Sequence, residues 1–117
     1  MKKIISALFV LFVFVQSNAQ DLTLLHINAK WNESNNYNLR GIKGAKIQMA
    51  YLEDQNTSIK SQIKSVPTII LLDKNGKPRG QWKAGLSFVI TATQDEIQNR
   101  INVILLESTQ TRRRSTN

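Results

Sequence analysis

Cysteine is absent from the 117-residue sequence. The chain therefore forms no disulfide and offers no thiolate for exchange chemistry, so its cohesion must come from an apolar core alone. Candidate metal ligands are also sparse, because the single histidine is distant in sequence from the adjacent acids Glu53 and Asp54. We interpret this acid pair as a solvated turn and predict neither a metal site nor a cofactor.

Long apolar runs are missing too, with one exception at the N-terminus. Residues 1–3 are Met-Lys-Lys, residues 4–15 are almost entirely apolar, and Ser17 and Ala19 are small. The run of about a dozen residues is shorter than the roughly 20 that span a bilayer, and the pattern is typical of a secretory signal peptide. An uncleaved anchor is the alternative. We expect residues 1–19 to be a cleaved signal peptide and the mature chain, starting at Gln20, to be periplasmic or secreted.

Negative charge is scarce, and the formal net charge is +8. Most Lys and Arg residues are scattered, which is typical of a solvated surface and argues against a nucleic-acid partner. One block, Arg112, Arg113 and Arg114, lies in a polar C-terminal segment. We predict a disordered basic tail over residues 108–117. Weak contact between these arginines and a membrane surface or polyanion is one functional hypothesis.

The most informative stretch lies in the middle of the chain. Val66-Pro67-Thr68 leads into an aliphatic run at residues 69–72, and Asn75-Gly76 follows shortly after. The run is short and rich in branched side chains, which predicts a strand buried on both faces. Pro67 cannot donate to a ladder and so belongs at the start of that strand. Asn75-Gly76 predicts a hairpin with a type I′ turn, in which both residues have positive φ.

Shorter patterns predict the remaining elements. Residues 22–28 are typical of an interior strand, residues 46–52 of a second strand and residues 81–83 of an edge strand. Asn56 or Thr57 is suited to cap a short helix over residues 58–63. Thr93 and Glu96 form a capping box that opens a helix whose apolar residues recur at helical spacing.

These features together resemble the thioredoxin family, in which a Val/Ile-Pro-Thr motif precedes a core strand, a hairpin and a second strand followed by a glycine, here Gly85. The resemblance implies an α/β fold in the order β-α-β-α-β-β-α, a small mixed sheet flanked by helices, over residues 20–107. It also implies a cis bond between Val66 and Pro67.

The resemblance places a degenerate active-site motif at residues 31–35, made of Trp31, Asn32, Glu33, Ser34 and Asn35. The family has Trp-Cys-Gly-Pro-Cys here, so two asparagines replace both cysteines. We interpret the polar side chains as N-caps of a helix that keeps its position without its reactivity. Residues 36–44 contain two glycines and allow that helix two or three turns at most.

His26 lies where many thioredoxins keep a buried acid that serves the buried thiol. Because this chain has no thiol, we interpret His26 as a hydrogen-bonded, partly buried histidine without a catalytic role.

Two principal functions follow from these observations. The first is a redox-inactive binding module, in which Trp31, Val66, Pro67 and Gly85 form a groove for an extended peptide or protein partner. The structural alternative is that Pro67 only shapes a turn and Trp31 only packs on the short helix. The second is the thiol–disulfide oxidoreductase role that the resemblance suggests, which the absence of cysteine disfavours. We predict that the protein is not an enzyme.

Overall fold

The computed structural model describes residues 22–116, with side chains through residue 108. The predicted signal peptide therefore lies outside the described residues. Four strands, two α-helices and two short 3₁₀ helices occur in chain order. They are β1 (Thr23–Asn28), a 3₁₀ helix (Lys30–Asn35), β2 (Lys46–Tyr51), a second 3₁₀ helix (Leu52–Asp54), α1 (Thr57–Gln62), β3 (Thr68–Leu72), β4 (Pro78–Lys83) and α2 (Gln94–Thr116).

The four strands form one mixed sheet in the order β2-β1-β3-β4. β1 pairs in parallel with β2 and antiparallel with β3, and β3 pairs antiparallel with β4. The two central strands are buried at every residue, as their nearly continuous apolar sequences predict. β2 and β4 are the edge strands, and both are partly exposed.

Each face of the sheet has its own apolar core. Alternate side chains of β1, Leu25 and Ile27, pack with Ile59 and Ile63 from α1 and its C-terminal end. On the opposite face, Leu24 packs with three side chains of α2, Ile97, Ile101 and Ile104. The predicted α/β architecture, a small mixed sheet flanked by helices, is confirmed.

The helix starts also follow the sequence. The Asn56 side chain accepts a hydrogen bond from the Ile59 N–H at 3.0 Å and caps α1. At α2, the Glu96 N–H donates to Thr93 Oγ1 at 3.2 Å and the Thr93 N–H donates to Glu96 Oε1 at 3.4 Å. These reciprocal bonds make up the predicted capping box.

The hairpin is present, but its predicted turn type is wrong. Only Gly76 has positive φ, at 78°, while Asn75 does not. The Gly76 N–H donates to Asp73 O, and Asp73 Oδ1 accepts from the N–H groups of Asn75 and Lys77. The aspartate side chain thus stabilises a turn with a left-handed glycine at its end, in place of the type I′ turn.

Two helical segments differ from expectation. Residues 36–45 contain no α-helix, because Gly41 and Gly44 have positive φ values of 93° and 92°. In contrast, α2 continues through Thr116, across the segment for which the sequence predicts a disordered tail. That segment has no glycine or proline to end a helix, and glutamine and arginine are good helix formers. The side chains of Arg112, Arg113 and Arg114 lie outside the described ones.

Over residues 22–116, no helix is both long and apolar enough to cross a membrane. The same residues contain no group of three or more His, Cys, Asp or Glu side chains that could hold a metal ion.

Candidate functional site

The degenerate motif forms the 3₁₀ helix that follows β1 directly. Ala29 is its N-cap residue, and no side chain caps it, so the predicted N-cap role of Asn32, Ser34 and Asn35 is wrong. A carboxylate from another loop performs that function. The Lys30 N–H donates to both oxygens of Glu53, at 2.9 and 3.0 Å, which satisfies a free donor at the helix start.

Four asparagines form a hydrogen-bonded cluster at this position. Asn28, fully buried at the end of β1, donates through Nδ2 to Asn32 O at 2.9 Å and to Asn36 Oδ1 at 2.7 Å. Its Oδ1 accepts from the Ala29 N–H at 2.9 Å and from Asn32 Nδ2 at 3.0 Å. Both donors and both lone-pair regions of the Asn28 amide are therefore in use, as burial requires.

Asn32 connects this cluster to two distant loops. Its side chain is buried, and Nδ2 lies 3.4 Å from Val66 O and 3.2 Å from Phe88 O in addition to Asn28 Oδ1. Three acceptors share two hydrogens, so at least one bond is bifurcated. Asn35 Nδ2 donates to Asn32 Oδ1 at 2.7 Å. Asn32 and Asn35 thus bond to each other, and Asn32 links the 3₁₀ helix to the loops before β3 and after β4.

An apolar surface lies beside the cluster. Trp31 is 65% exposed and meets the Phe88 ring edge to face, with centroids 5.0 Å apart and an interplanar angle of 88°. Leu86, 99% exposed, and the exposed Val89 belong to the same loop as Phe88. We call the Trp31–Phe88 pair, together with the exposed neighbours of Phe88 in its loop, Leu86 and Val89, the Trp31–Phe88 face. Such an exposed group of large apolar side chains is typical of an interaction site.

Phe88 has an unusual backbone conformation. Its φ of 62° lies in the left-handed region, which is costly for a bulky residue. The Phe88 N–H donates to Gly85 O at 3.1 Å and the Phe88 carbonyl accepts from Asn32. Bonds to both main-chain groups of Phe88, from the Asn32 side chain and to the Gly85 carbonyl, therefore hold it in this conformation with its ring against Trp31.

The structure describes all four predicted groove residues. Val66 and Pro67 are buried, and the peptide bond between them is cis. Pro67 O accepts from the Ala84 N–H at 3.0 Å. Within residues 22–116 the Val66 N–H has no hydrogen-bond partner, whereas its carbonyl is near Asn32. Gly85 is exposed, and a Cβ added there would meet no atom within 4 Å.

Charged groups surround the 3₁₀ helix without joining the asparagine cluster. Glu33 is exposed and accepts a hydrogen bond from the Tyr51 hydroxyl, which raises the pKa of that hydroxyl. Lys30 Nζ lies 3.1 Å from Asp54 Oδ1, with both side chains more than half exposed. A surface pair of this kind contributes little to stability. Glu53 and Asp54 thus contact Lys30, the residue before the motif, while both stay exposed as the predicted solvated turn requires.

His26 is buried more deeply than expected. It is fully buried in β1, and its Nε2 accepts a hydrogen bond from the Tyr37 N–H at 3.0 Å. The neutral ring therefore carries its proton on Nδ1, which has no partner among the described residues. Burial lowers the pKa of the His26 imidazole below its ordinary value. The interpretation of His26 as a hydrogen-bonded structural histidine fits this geometry.

Sequence reasoning missed several residues of this site. Asn28, Asn36 and Phe88 all contribute, yet none belongs to the motif. Asn28 carried a local signal, since a polar residue that ends an otherwise apolar strand is unusual in a buried position. Phe88 carried none, because its contacts with Trp31 and Asn32 depend on the tertiary fold.

Comparison with known proteins agrees with the geometry at the level of fold. No protein-family model matches the sequence, and a comparison with curated proteins gives no match either. Among solved structures, a mutant thioredoxin from Halobacterium salinarum NRC-1 matches with a TM-score of 0.54 and 18% identity, over 79% of this chain and 80% of that one. The chain has the thioredoxin fold. The sequence has no cysteine, and Asn35 donates to Asn32 within the 3₁₀ helix that follows β1.

Proposed function

We propose that this protein is an exported, redox-inactive member of the thioredoxin fold that binds an extended polypeptide segment at the Trp31–Phe88 face. The observation that supports this proposal best is the exposed pair Trp31 and Phe88. It lies beside the asparagine cluster, in a chain that has no thiol. Export is proposed from residues 1–19 alone. Mass spectrometry of the intact protein recovered outside the cytoplasm tests export. A mass that corresponds to a chain starting at Gln20 would support it, and a mass that corresponds to a start at Met1 would contradict it.

Redox inactivity follows from the chemistry of the side chains. Disulfide exchange begins with attack by a thiolate, and the sequence has no cysteine. An asparagine amide is neither a nucleophile nor a leaving group in that reaction. Asn32 is also buried, with its amide engaged by protein acceptors, so it is not available to a substrate.

The Trp31–Phe88 face supports binding in two ways. Its large apolar side chains offer anchors of the kind that dominate binding energy at interfaces. The strained φ of Phe88 is maintained by the bonds that its N–H and carbonyl make with Gly85 O and the Asn32 side chain, and strain of this kind is concentrated at functional sites.

The main chain beside the face offers a further group for an extended ligand. The Val66 N–H has no partner within residues 22–116, and an extended peptide adds to a protein through main-chain hydrogen bonds of this type. The Val66 carbonyl is engaged with Asn32 at 3.4 Å. We therefore expect the amide of Val66, more than its carbonyl, to contact the ligand.

A defined unfolded polypeptide tests the proposal. Reduced and carboxymethylated lactalbumin is extended and cannot form disulfides, so fluorescence anisotropy of a labelled sample reports binding alone. We expect Trp31→Ala to weaken binding by about tenfold or more, as for an anchor residue. The matched control is Leu106→Ala, since Leu106 is an exposed apolar residue of α2. Equal affinity of the two variants, or no binding by the wild type, would overturn the proposed site.

A further inference from the structure

β2 is an edge strand with an unused hydrogen-bonding side. The Lys46 N–H donates to Leu22 O at 2.9 Å, so the main chain of Lys46 faces β1. Because successive residues of a strand alternate in direction, the N–H and C=O groups of Ile47, Met49 and Tyr51 face outward. Tyr51 O accepts from Gln55 Nε2 at 3.1 Å. Within the described residues, the outward groups of Ile47 and Met49 have no partner.

The two edges of the sheet differ in protection. β4 begins with Pro78, carries the charged side chains of Arg79 and Lys83, and has a register irregularity opposite Leu71 and Leu72. Proline, charge and bulges are the usual means of preventing edge pairing. β2 has no proline and no bulge, and Lys46 is its single charged residue. The unprotected edge is therefore the β2 edge.

We propose that β2 pairs antiparallel with β2 of a second copy of this chain, about a twofold axis at Gln48. This inference is independent of peptide binding at the Trp31–Phe88 face. In this register Ile47 lies opposite Met49 of the second copy. By the twofold symmetry, Met49 lies opposite Ile47 of the second copy. Both residues direct their main-chain groups outward, so each pair exchanges two hydrogen bonds. A register centred on Met49 would instead use Tyr51 O, which Gln55 already occupies.

Side chains fit the same register. Ile47 is exposed and Met49 is 50% exposed, and the two lie on one face of β2, so pairing buries each against the other. Lys46 lies opposite Ala50 of the second copy, which avoids a facing pair of like charges. On the other face, Gln48 Oε1 is buried and has no hydrogen-bond partner within the described residues. Pairing places the side chain of a second Gln48 opposite the first across the axis.

The absence of cysteine allows a direct test of the axis. In the non-hydrogen-bonded pair on the axis, the two Cα atoms are about 4.5 Å apart, which is within disulfide range. We expect Gln48→Cys in the full-length chain to form a covalent dimer under mild oxidation. The control Val103→Cys places a thiol on the exposed side of α2, where Val103 is 44% exposed. Cross-linking of both variants at the same rate, or of neither, would overturn the register.

Mass measurement tests the association without a cross-link. We expect light scattering of the wild-type chain to show a concentration-dependent shift from one copy to two. Met49→Lys should abolish the shift, because it places two like charges beside the axis, whereas Val103→Lys should not. Unchanged circular dichroism of both variants would show that they fold. A wild-type chain that stays monomeric at every concentration, or a β2 edge covered by residues 1–21 of its own chain or by a foreign peptide, would overturn the proposal.

Discussion

The side-chain amide of Asn32 donates to the main-chain carbonyl of Phe88 at 3.2 Å, across 56 residues of sequence. This bond joins the start of the first crossover to the loop after β4. It holds the carbonyl of a residue with left-handed φ, whose ring contacts Trp31. Asn32 is therefore a structural link that supports the exposed aromatic pair.

We expect Asn32→Ala to destabilise the fold by about 1–3 kcal/mol, because it removes the donor shared by the carbonyls of Val66 and Phe88 and one of the two donors to Asn28 Oδ1. Asn35→Ala is the matched variant, since Asn35 is less buried and makes one bond to Asn32. Asn35→Ala should lower the free energy of unfolding by about 1 kcal/mol or less. Denaturant unfolding monitored by circular dichroism measures both. Equal midpoints for the two variants would contradict the structural role assigned to Asn32.

The sequence was sufficient for the elements whose signals are local. β1 and β3 are short, mostly apolar runs, and the caps at Asn56 and Thr93 depend on residues three positions away. The asparagine cluster could not be predicted in the same way. Asn32 bonds to Val66 and Phe88, which are 34 and 56 residues distant. Only the folded sheet brings those carbonyls to the same side chain.

The two wrong local predictions have local causes. Asn75-Gly76 predicts a type I′ turn from the dipeptide alone, but the Asp73 carboxylate accepts two main-chain N–H groups and favours another turn. The polar side chains of the motif predict N-caps, but Glu53 reaches the Lys30 N–H from a different loop. In both cases a carboxylate outside the recognised pattern competes for the same donors.

Two glycines give a matched pair of stability predictions. Gly44 has a φ of 92°, and a Cβ there would lie 2.9 Å from Leu105 Cδ1 and 3.0 Å from Ile101 Cγ2. We expect Gly44→Ala to destabilise the fold by roughly 1–3 kcal/mol, through backbone strain and overpacking against α2. Gly85 has open space and no positive φ, so Gly85→Ala should be neutral or stabilising by up to about 1 kcal/mol.

Thermal unfolding compares the two variants, and a larger loss for Gly85→Ala would contradict the described packing. Gly85→Ala has a second use, because it adds a methyl group near the proposed peptide site without lowering stability. Reduced affinity for carboxymethylated lactalbumin with a melting temperature no lower than that of the wild type would support a role of Gly85 in binding.

His26 gives the protein a pH-dependent stability with a defined sign. Burial lowers its pKa in the folded state, while the unfolded chain has a pKa of about 6.5. Between those values the unfolded state binds more protons, so the free energy of unfolding decreases as the pH falls below about 6.5. The contribution is complete above that pH, and its slope is at most about 1.4 kcal/mol per pH unit.

His26→Gln tests this assignment, because glutamine retains an acceptor for the Tyr37 N–H and does not titrate. We expect the slope of stability between pH 7 and pH 5 to become smaller in the variant, whatever its absolute stability. A single histidine also allows direct titration by NMR. A folded-state pKa at or above 6.5 would contradict the effect of burial.

The last prediction concerns the replaced dithiol. The wild-type chain should not reduce insulin disulfides, since it has no thiol. Asn35 Nδ2 lies 2.7 Å from Asn32 Oδ1, so the two side chains already point at each other. We expect the double variant Asn32→Cys, Asn35→Cys to form an internal disulfide under mild oxidation, because residues three apart on a helical turn are neighbours.

Its reductase activity should be weak for two structural reasons. The 3₁₀ helix has only six residues, and the Glu53 carboxylate already accepts from the Lys30 N–H at its start. Both reduce the stabilisation of a thiolate at residue 32, so we expect its pKa to lie only modestly below the free value of about 8.5. Adding Glu53→Gln to the double cysteine variant should lower the pKa of the thiol at residue 32 further, because a negative charge near the thiolate is lost.

The control is Asn32→Ser, Asn35→Ser, which removes the same amides without adding thiols. It separates the loss of the asparagine cluster from the gain of chemistry, and its stability should match that of the reduced cysteine variant. Thiols that remain unpaired under oxidation would show that residues 32 and 35 do not keep their relative position once the amides are gone. The asparagine cluster itself would then be what holds the 3₁₀ helix in place.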